Sequence, residues 1–153
     1  MARISAVEKE RKKRIYDAVI FNIFINEGWE YITYERLSTE LDVRKSTLQG
    51  YYPTRAHFST ALQDKVLPLM IEKLNFANKD AFIDSWQQAL MEKRFLMVIR
   101  MFIGSALSPE TSNGTRQSLN HLQREMQRTM SQEEADSAIR AVMGDSMVFI
   151  INQ

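Results

Sequence analysis

A chain of 153 residues with 44% hydrophobic and 25% charged side chains can bury one sizeable core and has the balance of a soluble globular protein. Five glycines and three prolines are too few for a loop-rich all-β chain, and the lack of cysteine excludes disulfides and thiolate chemistry. The net charge of +1 does not by itself point to nucleic acid. No apolar run approaches the roughly 20 residues of a membrane span, and the apolar stretch from Ala18 to Ile25 is too short and polar for a secretory leader. The expectation is a cytoplasmic chain.

The first element is a long helix over 5–27. Ser5 and Glu8 stand at capping-box spacing, and Tyr16, Val19, Ile20, Ile23 and Phe24 recur on one face. Gly28 is its natural stop. The cluster Lys9, Arg11, Lys12, Lys13 and Arg14 reads either as a phosphate or minor-groove arm or as a solvated helix start.

Residues 32–58 read as two short helices and the start of a third. Thr33 is an N-cap, and Leu37 and Leu41 form one apolar stripe. Asp42 stands at the bend, where Asp tolerates the left-handed conformation. Val43 and Leu48 can pack the second helix on the first, leaving Arg44, Lys45, Ser46, Thr47, Gln49 and Gly50 for solvent or a ligand. Pro53 ends that helix and Thr54 can cap the next. The pattern is that of a helix-turn-helix.

Beyond it, the spacing predicts one long connecting helix over 54 to about 78, kinked or broken by Pro68 near Leu67. Residues 79–107 are helical in pattern, as one helix or as two meeting near Glu92-Lys93-Arg94. A loop is expected at 108–114, then helices at 115–130 and 131 to about 151, the last capped by Ser131 with Glu134. Leu119, Leu122, Met126, Ile139, Val142, Met143, Phe149 and Ile150 fall on these two helices. A monomer would leave much of that surface wet, which predicts a twofold dimer through a four-helix bundle. No strand or internal repeat is indicated.

The run V-R-K-S-T-L-Q-G-Y-Y-P-T-R-A-H-F at 43–58 resembles the V-S-K-G-T-L-Y-x-Y-F-P-S-K-x-x-L signature of the tetracycline-repressor (TetR) family. Gly28, Trp29 and Thr33 resemble that family's G-F-x-x-x-T segment. The chain departs from the pattern at Asp42, where Gly is usual, at Gln49, where an aromatic is usual, and at Gly50, where a side chain is often present. The resemblance implies an all-α fold with a helix-turn-helix DNA-binding domain at 1–60. A shortened helical effector-binding and dimerisation domain follows at 61–153. It further implies a homodimeric transcriptional regulator, a repressor released from a palindromic double-stranded operator by a small apolar effector. The alternative is an interaction module whose reduced body senses a partner protein or no ligand.

On that reading Lys45, Thr47 and Gln49, flanked by Arg44, Ser46 and Gly50, are long or polar enough to meet base edges. Thr33, Tyr51, Thr54 and Arg55 are candidates for the phosphate backbone, and Tyr52 is assigned to the core. An apolar effector would lie among Phe82, Trp86, Met97, Met101, Phe102 and Met126, side chains that equally fill helical cores. His121 and Glu125 stand four apart, too few ligands for a metal. The sequon Asn113-Gly114-Thr115 reads as coincidence. No glycine-rich phosphate loop or G-x-S-x-G elbow is present, so neither an enzyme nor a cofactor is expected.

Overall fold

The computed structural model describes residues 3–109 and 113–153, and among these the chain is all helical, without a strand. It divides into two compact units, Met1–Gln63 and Asp64–Gln153.

In the first unit, α1 (Ala6–Glu27) starts at Ser5, whose hydroxyl accepts the Glu8 amide at 3.2 Å. The reciprocal half of the expected box is not made, because the Glu8 carboxylate takes the Arg11 guanidinium at 2.6 Å instead. Gly28 stops the helix at φ 113°, a conformation that strains any residue with a Cβ. A 3-10 turn at Trp29–Tyr31 leads to α2 (Tyr34–Leu41), and Asp42 at φ 52°, ψ 49° turns the chain into α3 (Lys45–Tyr51). A 3-10 segment, Arg55–Ala61, closes the unit. Ile20, Phe24, Ile32, Leu37, Leu48, Tyr52 and Phe58 form a core without solvent exposure.

The connecting helix expected over 54–78 does not form. After the 3-10 segment, Asp64 takes a left-handed conformation (φ 63°) that ends helical geometry, and a short α4 (Val66–Ile71) follows. Pro68 lies in the first turn of α4, where its missing amide has no intrahelical acceptor to lose. It neither kinks nor breaks a longer helix.

In the second unit, α5 (Lys79–Ala89) and α6 (Lys93–Leu107) are separate helices. Of the predicted loop, Glu110 to Ser112 lie outside the described residues, while Asn113 and Gly114 already belong to α7 (Asn113–Met126). The last helix, α8 (Gln132–Ile151), starts at Ser131, which accepts the Glu134 amide at 3.1 Å. The α5–α8 pair is the spine of this unit. Ala135 and Ala138 let the helices approach, and both are buried. Trp86 Nε1 donates to Ser146 Oγ at 2.8 Å, and Ser146 donates on to the Val142 carbonyl at 2.6 Å. Lys79 reaches Ser137 and Gln87 reaches Asp145, each at 2.9 Å.

The surface expected to form a dimer is partly consumed within the chain. Leu122, Met126, Ile139 and Val142 are buried in the unit's own core, because α7 and α8 pack on each other and on α5 and α6. Leu119, Met143, Phe149 and Ile150 are half-buried. Apolar side chains stay open at the end of α8, with Met147 40%, Val148 60% and Ile151 74% exposed, as well as at Met91 and Leu107.

Candidate nucleic-acid interface

The α2–α3 pair is held mainly on its inner side. Leu37 and Leu48 are fully buried, and Ser38 Oγ donates to the Val43 carbonyl at 2.5 Å, closing the turn. Thr33 caps α2 as expected from its hydroxyl, accepting the Arg36 amide at 3.1 Å. Arg36 is clamped between Glu27 (2.7 Å) and Glu40 (2.9 Å), and these hydrogen bonds hold its guanidinium protonation well above the ordinary value. This tethers α2 to the end of α1.

The far end of α3 is fixed through Tyr52. Its ring is buried and its hydroxyl donates to Asp17 on α1. Burial first, then that bond and the Asp17 charge, push the phenol well above its usual range. Lys13 neutralises Asp17 at 3.0 Å, bonds Thr60 at 3.2 Å and lies over the Tyr52 ring. The Tyr52 carbonyl accepts from Tyr34 at 2.5 Å. Beside it, Tyr51 packs edge-on to Tyr16 with ring centroids 5.0 Å apart, under the Lys9 ammonium. Two members of the basic cluster, Lys9 and Lys13, are therefore turned toward α3, and Arg11 is paired with Glu8.

With its inner side fixed, α3 presents the rest to solvent. Arg44, Lys45, Ser46, Thr47, Gln49 and Gly50 are all exposed and Tyr51 is half-buried. Gly50 has nothing within 4 Å of where a Cβ would stand, so the protein's own packing does not require glycine there. Thr54 and Arg55 are exposed next to this face. Thr54 is tied to His57, its amide donating to Nδ1 at 3.2 Å. Arg55 donates through Nε to the Ile32 carbonyl at 3.1 Å and through one terminal nitrogen to that of Trp29 at 3.0 Å, with its guanidinium over the Trp29 ring. A guanidinium carries five N–H donors, so donors remain after these bonds.

Three of these arrangements were not legible in the sequence. The Arg55 anchor, the Tyr52–Asp17 bond and an ion pair between Lys45 and Glu35 at 2.8 Å join residues of different elements. Only the Lys13–Asp17 half of the Asp17 cluster stood at readable i, i+4 spacing.

In the second unit, the six side chains named for an effector differ in their surroundings. Phe82, Trp86 and Met126 are fully buried packing groups, and Phe76, Phe82, Trp86 and Phe95 form an aromatic row with centroids 5.2 to 5.8 Å apart. Met97 and Met101 are half-buried on α6. Only Trp86 and Phe102 of the six border the apolar cavity that Leu67, Met70, Ile99, Ser118, Leu119, Leu122 and Met143 complete. Its volume is about 20 Å³, enough for one water molecule. His121 lies 3.8 Å from Glu125, which also meets Arg128 at 3.5 Å. Among the described residues no three potential ligands converge on a metal position, and no helix is long and apolar enough to cross a membrane.

Residues 63–150 match the family model described as the tetracycline repressor LuxT C-terminal domain, which covers more than half of the chain. The chain belongs to the tetracycline-repressor family. The match lies almost wholly in the second unit, whereas the signature at 43–58 lies in the first, so two non-overlapping stretches point to the same family. The all-helical fold agrees with it. As a TetR-family chain it is a TetR-like transcriptional regulator. No curated protein matches it.

Proposed function

We propose that this TetR-family regulator binds double-stranded DNA as a homodimer, places α3 in successive major grooves of a palindromic operator, and represses transcription until an apolar effector releases it. The observation that carries the reading is the one-sidedness of α3. Leu48 is its one buried residue, its ends are held by hydrogen bonds, and a contiguous polar face from Arg44 to Gly50 stands open. Side chains of the length of Thr47 and Gln49 suit base edges in the major groove, Lys45 is long enough for a base edge or a phosphate, and Thr54 and Arg55 stand exposed beside them as phosphate candidates. The open apolar end of α8 supports pairing of two chains.

Selection of binding sites from random duplexes by the purified chain tests this. Enrichment of an inverted repeat is expected, and failure to enrich any sequence would overturn it. A monomeric mass by light scattering at micromolar concentration would sink the dimer.

A second reading has its own support. A cavity of about 20 Å³ is far below the roughly 300 Å³ at which ligand pockets begin. The body as it stands fits a module that senses a partner protein or nothing at all. An effector would have to open the cavity by turning Met70 and Met143, whose flexible thioethers allow it. Mass spectrometry of the denatured protein and operator release by apolar compounds decide between them. A small apolar molecule recovered at one per chain supports the effector, and operator-bound protein that no compound of an apolar panel releases supports the second reading.

A further inference from the structure

Lys45 opens α3, and its ammonium lies 2.8 Å from Oε1 of Glu35 in the first turn of α2. Both side chains are open to solvent, at 52% and 70% exposure. The bond to Lys45 is the main reason the Glu35 carboxyl sits below the ordinary carboxylate range. An exposed pair of this kind adds little to stability. The α2–α3 junction does not depend on it, because Leu37, Leu48 and the Ser38–Val43 bond already hold the two helices. The pair does have an electrostatic consequence. A lysine paired with a carboxylate of its own chain delivers almost no net charge to a phosphate, and net charge is what releases counterions from DNA.

We propose that Glu35 is an internal competitor of the DNA backbone for Lys45, a positioning residue that holds down the sequence-independent part of DNA affinity. The proposal rests on the DNA-binding reading above. Because the pair is exposed and weak, DNA can displace it, but only by separating two charges that already satisfy each other. Glu35 also keeps a negative charge at the rim of the reading face. Thr47 and Gln49, which would read bases by hydrogen bonding, are unaffected by it.

The test uses the full-length chain and a short duplex of scrambled sequence, with the logarithm of the binding constant followed against the logarithm of salt concentration. E35Q is expected to steepen the slope by about 0.9 per protomer. That corresponds to roughly a further 3.5-fold loss of affinity per protomer over a fourfold rise in salt. K45M is expected to shallow the slope by about 0.9 per protomer in the E35Q background, and by much less when Glu35 is present. An unchanged slope in E35Q, or an equal effect of K45M in both backgrounds, overturns the proposal while leaving DNA binding intact. Wild-type protein that binds neither scrambled nor selected DNA overturns the DNA-binding reading, and this proposal falls with it. Thermal melts of E35Q matching wild type show that the change in slope is electrostatic rather than structural.

Discussion

α3 and α5 are both short helices, yet they are held in opposite ways. The seven residues of α3 bury Leu48 alone, and the helix is positioned from its ends by Ser38, Tyr34 and the Asp17–Tyr52 bond. The eleven residues of α5 bury Phe82, Trp86 and Ala89 and lie along α8. Packing along its length fixes α5 through its buried side, with Asp80, Asp84, Gln87 and Gln88 left exposed. Hydrogen bonds at the ends fix a helix while keeping one face open. The first unit is therefore built to present a surface, and the second to keep its apolar side chains together.

The sharpest way to break this contrast is to remove the centre of the packed helix. Trp86→Ala should destabilise the second unit by about 3–5 kcal/mol, read by urea denaturation. A loss under about 1 kcal/mol would mean that the α5–α8 spine is not what holds the unit.

On α3, Gln49→Ala should leave stability unchanged, because the side chain is exposed. It should cost about 1–3 kcal/mol per half-site on the selected operator and relax preference at one adenine. An unchanged base profile in the selection would show that Gln49 does not read a base.

End-fixing is tested by Tyr52→Phe, which keeps the buried ring and deletes the bond to Asp17. A loss of about 1.5–3 kcal/mol is expected for a bond to a charged carboxylate, with weaker operator binding as α3 loses its anchor on α1. Stability lost with operator affinity unchanged would show that the bond supports the fold without positioning α3.

The smallest effect is expected at Gly50. The space there is open, so Gly50→Ala should stabilise α3 by about 0.5–1 kcal/mol. A thermal melt checks that gain. Weaker operator binding in the same variant would show that the missing side chain serves close approach to the groove floor.

What the sequence allowed one to read follows the range of the interactions. Ser5, Gly28, Thr33, Asp42 and Ser131 act on backbone groups within a few residues of themselves, and each does in the structure what its chemistry suggests. The helix predicted across 54–78 failed at the same range. Phe58, Ala61 and Leu62 do face inward at a spacing that a 3-10 segment and a turn imitate, and a left-handed Asp64 between Gln63 and Lys65 carries no clear signal. Side-chain partners across elements were not legible at all. Arg55 is anchored on carbonyls 23 and 26 positions away, and Lys45 on a carboxylate ten positions away. An effector site was not legible for a related reason, since Met and aromatic residues look the same in sequence whether they line a cavity or fill one.

The two tryptophans fall one to each unit, in unlike surroundings. Trp86 is sealed from water with its indole nitrogen bonded to Ser146, while Trp29 is half-buried beneath the Arg55 guanidinium. The molecule thus carries two intrinsic fluorophores that report separately. Trp86 should emit to the blue of Trp29, and its signal should follow melting of the helical body. Trp29 lies beside the proposed DNA face, next to a cation that a phosphate can pull away. Its emission should respond to DNA and that of Trp86 should not, so the protein needs no attached label to show which of its halves has been engaged.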